Sequence, residues 1–490
     1  MNMLEAIKAR RKRIFMSLFG VLIGGVCVGF MKIAAFGVDP FQVLVSGLDH
    51  AIAIDFGTLY VLINAVLLLF SLAYYAWGEP KYVLLMGATI LCFYLCGLAM
   101  GRFPRWKRLW LTVSVLLGLG ALGIFKYADF FIGSFNAVTG LKLPLLRLAL
   151  PIGISFYTFQ CISYTVDVYR GKAEPQRSLI TFGAYVSLFP QLIAGPIVRY
   201  TDVARELEHR QHSWEDFALG LRRFLFGLGK KVLLANQFGE LTQAYRNASE
   251  PSVLFGWLYG LAFLLQIYFD FSGYSDMAIG LGRIFGFRFP ENFDYPYLSS
   301  SVTEFWRRWH MTLGGWFRDY VYIPLGGNRV GRLRWVFNIL VVWMLTGLWH
   351  GASWNFVVWG LLFAALLLLE KPLHPKLPRW LAHGSVLLAV LFSFVVFNGE
   401  SLPQAGQDLA GMLGLGGLPG VTAESLYQLR STAVLLLAGI LGATPLPKKW
   451  GLKIGERWPF LEPLTMAALL LLCTAYLVDG SFNPFLYFRF

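Results

Sequence analysis

The sequence predicts an all-α, polytopic integral membrane protein with about twelve membrane segments. Of its 490 residues, 57% are hydrophobic and 14% are charged, whereas a soluble domain carries about 25% charged residues. The mean hydropathy is +0.58, and apolar runs of about 20 residues, the length of a membrane-spanning helix, recur along the chain. The 16% aromatic content is typical of Trp and Tyr belts at membrane interfaces.

The basic charge and the cysteines exclude several classes of function. The net charge of +14 is spread over the connections between apolar runs. It therefore indicates cytoplasmic loops and contact with membrane lipid headgroups, and it argues against nucleic acid as a partner. The five cysteines lie inside apolar runs, with no C-x-x-C pair and no Cys/His cluster at metal-ligand spacing. We expect neither a disulfide framework nor a metal site.

The first predicted element is a membrane anchor. The basic segment MNMLEAIKARRKR precedes an apolar run at 14–31, an arrangement that cleaved signal peptides share. This run is long and lacks a clean small-x-small cleavage site, so we expect a retained anchor whose basic end faces the cytoplasm.

Further membrane segments are predicted from the apolar runs that follow. These runs fall near 81–100, 109–135, 146–166, 179–198, 218–236, 253–287, 336–370, 380–398, 430–446 and 463–478. The runs 253–287 and 336–370 are long enough to hold two segments each. Orientation stays open, because the basic residues at 102–108 fall opposite the N-terminus if every earlier run is one span. A half-span or interfacial helix within 36–70 would remove that conflict.

One stretch, 301–360, joins a basic aromatic half to an apolar half. The apolar half opens a run of 35 residues, 336–370, in which Gly347 and Gly351 predict a break in the helix. His350 then lies at membrane depth beside that break. Irregular backbone at this depth is tolerated only where it is buried in protein or lines a cavity. An ionisable side chain there is a functional hypothesis by default.

Polar side chains inside other apolar runs predict buried pairs and close helix contacts. A carboxylate in lipid must pair or be neutralised, so we expect Asp270 either to hold a catalytic group or to pair with Arg283 or Arg307. Small residues that permit close helix approach follow nearby: Gly273, Gly280, Gly282 and Gly286. Polar groups also interrupt the run 146–166, where helix–helix hydrogen bonding is favoured over lining a substrate passage: Ser155, Tyr157, Thr158 and Gln160.

Five ordered motifs carry a resemblance to a known family. They are PIGISFYTFQ at 151–160, FPQLIAGPIVRY at 189–200, QIYFDFSGYSDMAIG at 266–280, FWRRWHMTLGGWFRDYVYIPLGGNR at 305–329 and GLWHGASWNFVVWG at 347–360. Together they resemble the membrane-bound O-acyltransferases, or MBOAT proteins, and look most like the bacterial branch typified by the alginate O-acetyltransferase membrane subunit. The resemblance implies an acyltransferase domain at 71–490. Residues 1–70 instead resemble YczE-type integral membrane proteins, which predicts a separate N-terminal membrane segment.

The family resemblance implies helices around a funnel-like passage, with His350 as the catalytic histidine at its constriction. His310 is the second candidate catalytic residue. Acyl transfer from a thioester to a hydroxyl needs removal of the hydroxyl proton, and the ordinary pKa of histidine suits that task near neutral pH. No G-x-S-x-G motif is present, so direct transfer without a covalent acyl-enzyme is the simpler scheme.

The resemblance also implies an acyl thioester such as acetyl-CoA as co-substrate, with no bound cofactor. Arginine forks match the geometry of phosphate. We therefore expect the donor phosphates to contact four arginines of the basic half: Arg307, Arg308, Arg318 and Arg329. Anchoring to lipid headgroups is the competing interpretation of the same side chains.

The predicted function is transfer of an acyl group, expected to be acetyl, from a cytoplasmic thioester across a bacterial plasma membrane. The acceptor would be an exported polysaccharide, reached directly or through an extracytoplasmic acyltransferase partner. Two alternatives stay open. One is D-alanyl transfer to teichoic acid, and the other is a transporter or flippase without chemistry, which broken membrane helices also allow.

Overall fold

A computed structural model describes residues 56–373, 377–480 and 484–486. Apart from one bridge between Phe293 and Trp309, the regular secondary structure in these ranges is helical. The α-helices are α1 (Phe56–Gly78), α2 (Val83–Arg102), α3 (Lys107–Leu122), α4 (Ala128–Thr139), α5 (Ile154–Tyr169), α6 (Leu179–Ser187), α7 (Phe189–Leu192), α8 (Tyr200–Glu208), α9 (Trp214–Gly229), α10 (Asn236–Arg246), α11 (Val253–Ile284), α12 (Val302–Arg308), α13 (Met311–Phe317), α14 (Arg332–His350), α15 (Trp354–Leu373), α16 (Arg379–Asn398), α17 (Leu402–Met412), α18 (Ala423–Gly442), α19 (Leu446–Arg457) and α20 (Leu461–Asp479).

Hydroxyl side chains begin six of these helices. Each accepts a hydrogen bond from the backbone N–H three residues later, which satisfies one of the donors that a helix start leaves without a partner. The six residues are Ser178, Ser213, Ser252, Ser301, Ser401 and Thr422. These helix starts are therefore determined by local sequence.

Nine helices in the described ranges are long and apolar enough to cross a membrane. They are Tyr60–Gly78, Val83–Arg102, Pro104–Thr139, Val253–Ile284, Arg332–His350, Trp354–Pro372, Arg379–Asn398, Ala423–Gly442 and Leu461–Asp479. The predicted total of about twelve is not confirmed. The predicted anchor at 14–31 lies outside the described residues. The predicted segments at 146–166, 179–198 and 218–236 correspond to shorter helices, including α5 with 16 residues and α6 with 9.

The two longest apolar runs behave differently. The run 336–370 does hold two segments, because α14 ends at His350 and α15 begins at Trp354. Between them Gly351 is in an extended conformation, so the predicted break is confirmed. The run 253–287 instead forms a single helix, α11, of 32 residues. At a rise of 1.5 Å per residue this helix is about 48 Å long, more than the hydrocarbon thickness of a bilayer.

Helix α11 is the centre of the fold. In the most apolar stretch of α11, 78% of the residues are buried, whereas in that of the peripheral helix α20 only 6% are buried. Helix α9 packs against α11 in the antiparallel direction through two glycine pairs, Gly220 with Gly280 and Gly227 with Gly273. The predicted close approach at Gly273 and Gly280 is thus confirmed, because small residues let two backbones approach closely.

Three π-helical segments interrupt the α-helical structure of the described residues. They lie at Gly123–Tyr127, Lys230–Ala235 and Arg318–Tyr322. The first joins α3 to α4, the second joins α9 to α10, and the third follows α13. Each contains a lysine or arginine. π-Helical turns are rare and occur frequently at functional sites, so these segments are candidates for positioning charged groups.

The predicted division at residue 70 falls inside α1 and stays a prediction, since most of 1–70 lies outside the described residues. Helix α1 forms side-chain hydrogen bonds with distant parts of the chain. The Tyr60 hydroxyl donates to the carbonyl of Arg210 at 2.9 Å, and the Asn64 amide donates to the carbonyl of Leu207 at 2.8 Å. Residues 56–70 therefore belong to the packed body of the protein.

The glycine contact between α9 and α11 predicts the effect of a single methyl group. A Cβ added at Gly227 would lie 2.5 Å from the carbonyl oxygen of Gly273. Gly227→Ala should therefore lower the free energy of unfolding by about 1–3 kcal/mol, because overpacking outweighs the gain in helix propensity. Gly384→Ala in α16 is the matched control, with nothing within 4 Å of its added Cβ. Thermal unfolding in detergent measures both variants, and equal midpoints would contradict the prediction.

Candidate active site

The two histidines singled out by the sequence lie in one site, although 40 residues separate them in the chain. Their ring centroids are 6.5 Å apart. The Trp349 ring lies against both, 5.7 Å from His310 and 5.0 Å from His350. His350 is the last residue of α14. His310 is the second of the two residues between α12 and α13 and directly precedes α13. Two interruptions between helices therefore meet at this point.

His310 is held in a defined orientation by Asn292. It is 1% exposed, and its backbone is in the left-handed region with φ at 44°, which L residues seldom adopt. Its Nδ1 lies 3.0 Å from Asn292 Oδ1, and that oxygen also accepts from the backbone N–H and hydroxyl of Thr312. Because a backbone N–H can only donate, the Asn292 atom is the oxygen, and His310 Nδ1 must donate to it. The lone pair of the neutral ring is then on Nε2.

His350 lies on the wall of an apolar cavity. Aromatic rings surround it, with Trp359 at 5.1 Å and Phe397 at 5.3 Å between centroids. Asp270 and Tyr274 of α11 also line the cavity. The Nε2 atoms of His350 and His310 are buried without a hydrogen-bond partner in the part of the chain that the structure describes. Buried polar atoms are nearly always bonded, so both nitrogens are candidates for contact with a substrate. Only His350 lines the cavity, and His310 lies behind its neighbours Trp309 and Trp349 in the wall.

A buried ion pair closes one side of this cavity. Lys231 Nζ lies 2.6 Å from Asp270 Oδ1, and both side chains are less than 10% exposed. The same pair binds the C-terminal segment 484–486. Lys231 donates to the carbonyl of Pro484 at 3.1 Å, and Asp270 accepts from the backbone N–H of Leu486 at 2.8 Å. Phe485 and Leu486 thereby become part of the cavity wall.

The predicted partners of Asp270 were wrong. Arg283 pairs with Asp216 at 2.7 Å, and Arg307 is exposed. The error arises because Lys231 is in a π-helical segment of a different helix, whose packing against α11 the sequence does not reveal. The second carboxylate of α11, Asp276, pairs with other cations of the same region: Arg223 at 2.9 Å and Lys230 at 2.6 Å.

The four arginines predicted to bind the donor divide into two kinds. Arg308 is paired with Glu304 at 3.0 Å and lies 3.6 Å from Asp294. Arg318 is paired with Asp319 at 2.7 Å. Arg307 and Arg329 are exposed, and neither forms an ion pair with any residue in the described ranges. These two guanidinium groups are therefore the ones whose charge is not offset nearby.

Asp319 is the centre of a further charged cluster. It accepts hydrogen bonds from Arg318 and pairs with Arg199 at 2.9 Å. Burial raises the pKa of Asp319, but the bonds from Arg318 and Arg199 outweigh that effect, so its pKa lies below the ordinary value. This ion pair joins the start of α8 to the segment after α13.

The polar residues of α5 only partly match the expectation. Ser155 accepts a hydrogen bond from Lys126 at 3.2 Å, as predicted for helix–helix contact. Tyr157, Thr158 and Gln160 are buried, and their side-chain polar atoms have no partner within residues 56–373, 377–480 and 484–486.

Three residues of the site were missed from the sequence. Lys126 was overlooked although it is a single cation inside a predicted span, the signal that marks a functional residue. Lys231 lies in the run 218–236 together with Arg222, Arg223 and Lys230, so the sequence did not single it out. Asn292 gave no comparable signal, because an asparagine in a loop is common and only the folded chain places it against His310.

Comparison with known proteins identifies two matching families and several relatives of this chain. The sequence profile of the membrane-bound O-acyltransferase family, MBOAT, matches residues 172–375, and that of a family of unknown function, DUF6198, matches 11–130. The chain is 41% identical to a probable alginate O-acetylase of Azotobacter vinelandii, over 82% of each chain. It is 38% identical to that of Pseudomonas putida, over 87% of this chain and 94% of the relative. A peptidoglycan O-acetyltransferase of Helicobacter pylori is 35% identical over 72% of this chain and 74% of its own.

The Lys231–Asp270 pair predicts an asymmetry between single and double substitutions. Lys231→Met leaves a buried carboxylate without its cation and should cost about 3–5 kcal/mol of stability. The double variant Lys231→Met/Asp270→Leu removes both charges and should recover a large part of that loss. Unfolding in detergent, followed by circular dichroism, measures the cycle. A double variant less stable than Lys231→Met would contradict the pairing.

Proposed function

Because the chain belongs to the membrane-bound O-acyltransferase family, we propose that this enzyme moves an acetyl group from a cytoplasmic thioester to an exported polysaccharide. The protein is an O-acyltransferase and a multi-pass membrane protein, and its bacterial relatives indicate the inner membrane. The relatives that are named for acetyl transfer act on alginate or peptidoglycan, which supports a polysaccharide acceptor here.

The observation that carries the mechanism is the place of His350 on the cavity wall with an available Nε2. In the proposed step, Nε2 takes the proton of the acceptor hydroxyl as its oxygen bonds to the acyl carbon. The carbon–sulfur bond of the thioester breaks, and the departing thiolate recovers the proton from the imidazolium. The histidine returns to its neutral form, and no covalent acyl-enzyme is needed. General-base assistance of this kind contributes about a hundredfold to ten-thousandfold in rate.

His310 has a supporting role in this scheme. Asn292 fixes the tautomer whose lone pair is on Nε2, so His310 accepts a hydrogen bond and does not donate one from that atom. We assign it to orienting the acceptor hydroxyl, which aligns the attacking oxygen before His350 removes the proton. Such orientation lowers the entropic part of the barrier.

Acetyl-CoA is the proposed donor, and its phosphates are assigned to Arg307 and Arg329. The support is their exposure and the absence of an offsetting carboxylate among the described residues. Arg307 also precedes His310 by only three residues, so a donor bound there lies close in the chain to the catalytic centre. Arg308 and Arg318 are already paired with carboxylates and are assigned a secondary role.

The acceptor is either the polysaccharide itself or an extracytoplasmic acyltransferase that completes the transfer. D-alanyl transfer to teichoic acid ranks second, since the teichoic acid D-alanyltransferases match less of the chain at lower identity than the alginate O-acetylases do. A transporter without chemistry is set aside, because the family consists of acyltransferases.

The role of His350 predicts that its substitution removes turnover and keeps the fold. His350→Ala should lower acetyl transfer about a hundredfold to ten-thousandfold, or about 3–5 kcal/mol in barrier. His350→Gln should behave alike, because it keeps a similar size without a base. Radiolabelled acetyl-CoA and membranes of expressing cells measure the transfer, and size-exclusion chromatography in detergent verifies the fold. Full activity of His350→Ala, or loss of the folded protein in both variants, would contradict the assignment.

The donor site predicts both a kinetic effect and a membrane side. Arg307→Ala and Arg329→Ala should each raise the KM for acetyl-CoA several-fold with little change in kcat, because a phosphate contact of about 1 kcal/mol is lost. Arg457→Ala in α19 is the control, an exposed arginine outside the site. The cysteine introduced by Arg329→Cys should react with a membrane-impermeant maleimide, above the labelling of the five native cysteines, only from the cytoplasmic face. Labelling only from outside would refute the donor site.

A further inference from the structure

Lys126 is a buried cation in the middle of a membrane-spanning helix. It lies in the π-helical segment Gly123–Tyr127 and is 8% exposed. No carboxylate in the described ranges forms an ion pair with it. Its Nζ donates instead to the backbone carbonyl of Trp349 at 2.5 Å and to Ser155 Oγ at 3.2 Å. An ammonium group buried inside an apolar helix without a carboxylate is costly, which indicates a role that the proposed chemistry has not yet used.

The partner of Lys126 is the end of α14, which carries His350. A helix that ends leaves its last four carbonyls without an intrahelical partner, and each such group costs free energy if it is buried away from water without a partner. Here Gly351 N donates to the carbonyl of Gly347 at 3.4 Å. The Tyr127 hydroxyl donates to the carbonyl of Leu348 at 2.9 Å. Lys126 donates to the carbonyl of Trp349. The two carbonyls directly before His350 therefore accept hydrogen bonds from two successive residues, Lys126 and Tyr127, of another helical segment.

The π-helical segment explains how two successive side chains reach the same helix end. In a regular α-helix, residues that are neighbours in sequence do not face the same side. The irregular turn at Gly123–Tyr127 brings Lys126 and Tyr127 onto adjacent carbonyls of α14. The positive charge of Lys126 also complements the partial negative charge at a helix C-terminus.

We propose that Lys126 and Tyr127 are positioning residues for acyl transfer, which hold the end of α14 so that the His350 ring faces the cavity. The proposal rests on the proposed role of His350. Neither residue lines the cavity, and the donors of both are already bonded to carbonyls of α14, so they act through the backbone of α14. The Trp349 ring, packed 5.2 Å from Phe156 and 5.8 Å from Phe159, supports the same helix end from the side of α5.

Lys126→Met and Tyr127→Phe test this role, since each removes a donor and keeps a similar volume. Both should lower kcat for acetyl transfer about 10-fold to 100-fold with KM for acetyl-CoA unchanged, because displacement of a catalytic group by about 1 Å costs that much. Lys126→Arg, which keeps the charge and donors, should restore part of kcat. Tyr185→Phe is the matched control, because the Tyr185 hydroxyl also donates to a buried carbonyl, that of Val198 at 3.0 Å. It should leave kcat unchanged.

A second readout is independent of activity. Hydrogen exchange of peptides covering 345–353 should be faster in Lys126→Met and Tyr127→Phe than in Tyr185→Phe, because the end of α14 loses its bonds. Unchanged exchange in both variants would overturn the proposal. A kcat equal to that of Tyr185→Phe would overturn it as well.

A double variant separates this proposal from the proposed function. If Lys126 acts through His350, Lys126→Met should slow the His350→Ala enzyme no further, since the effects of residues that act as a unit are not additive. Additive losses would show that Lys126 acts independently and would overturn the positioning role alone. Full activity of the His350→Ala enzyme would instead refute the proposed function, whatever the Lys126 variants do.

Discussion

The buried end of α14 is the constraint on which the site depends. A helix that stops inside the protein leaves carbonyls that water cannot reach, and such an end persists only where other groups bond it. At Gly351 the chain leaves the helix in an extended conformation, and an added Cβ there would clash with the Phe356 ring. Lys126 and Tyr127 bond the carbonyls that this exit leaves. His350 is thereby held at the tip of a rigid helix, not within a flexible loop.

The same physical solution recurs around the central helix α11. Its two carboxylates, Asp270 and Asp276, would be unfavourable in lipid as isolated charges. Both are paired with lysines from the π-helical segment Lys230–Ala235, Lys231 and Lys230. One π-helical turn thus places a lysine against each carboxylate of α11, and Arg223 of the regular helix α9 also pairs with Asp276. The glycine contacts between α9 and α11 bring these elements close enough to bond.

The site combines two kinds of environment. Around His350 the walls are mostly aromatic and hydrocarbon, with Asp270 as a carboxylate among them. Around Asp319 and the arginines at the other end of the 301–360 stretch, charges are exposed and mostly paired. A donor with a charged nucleotide and an apolar acyl arm matches such an arrangement, because phosphates favour guanidinium groups and the short acyl group tolerates an apolar cavity.

The sequence by itself determined the class of fold, the break at Gly351 and the candidate histidines. These features depend on local physics: an apolar run longer than a single span, glycines inside it and an ionisable residue at its centre. Only the tertiary structure decided which groups meet. Asn292 lies against His310 across 18 residues and Lys126 lies against Trp349 across 223, and Asp270 pairs with Lys231 and not with either predicted arginine. Such pairings depend on how helices pack and on where π-helical turns rotate side chains. Neither of these features produces a repeating pattern in the sequence.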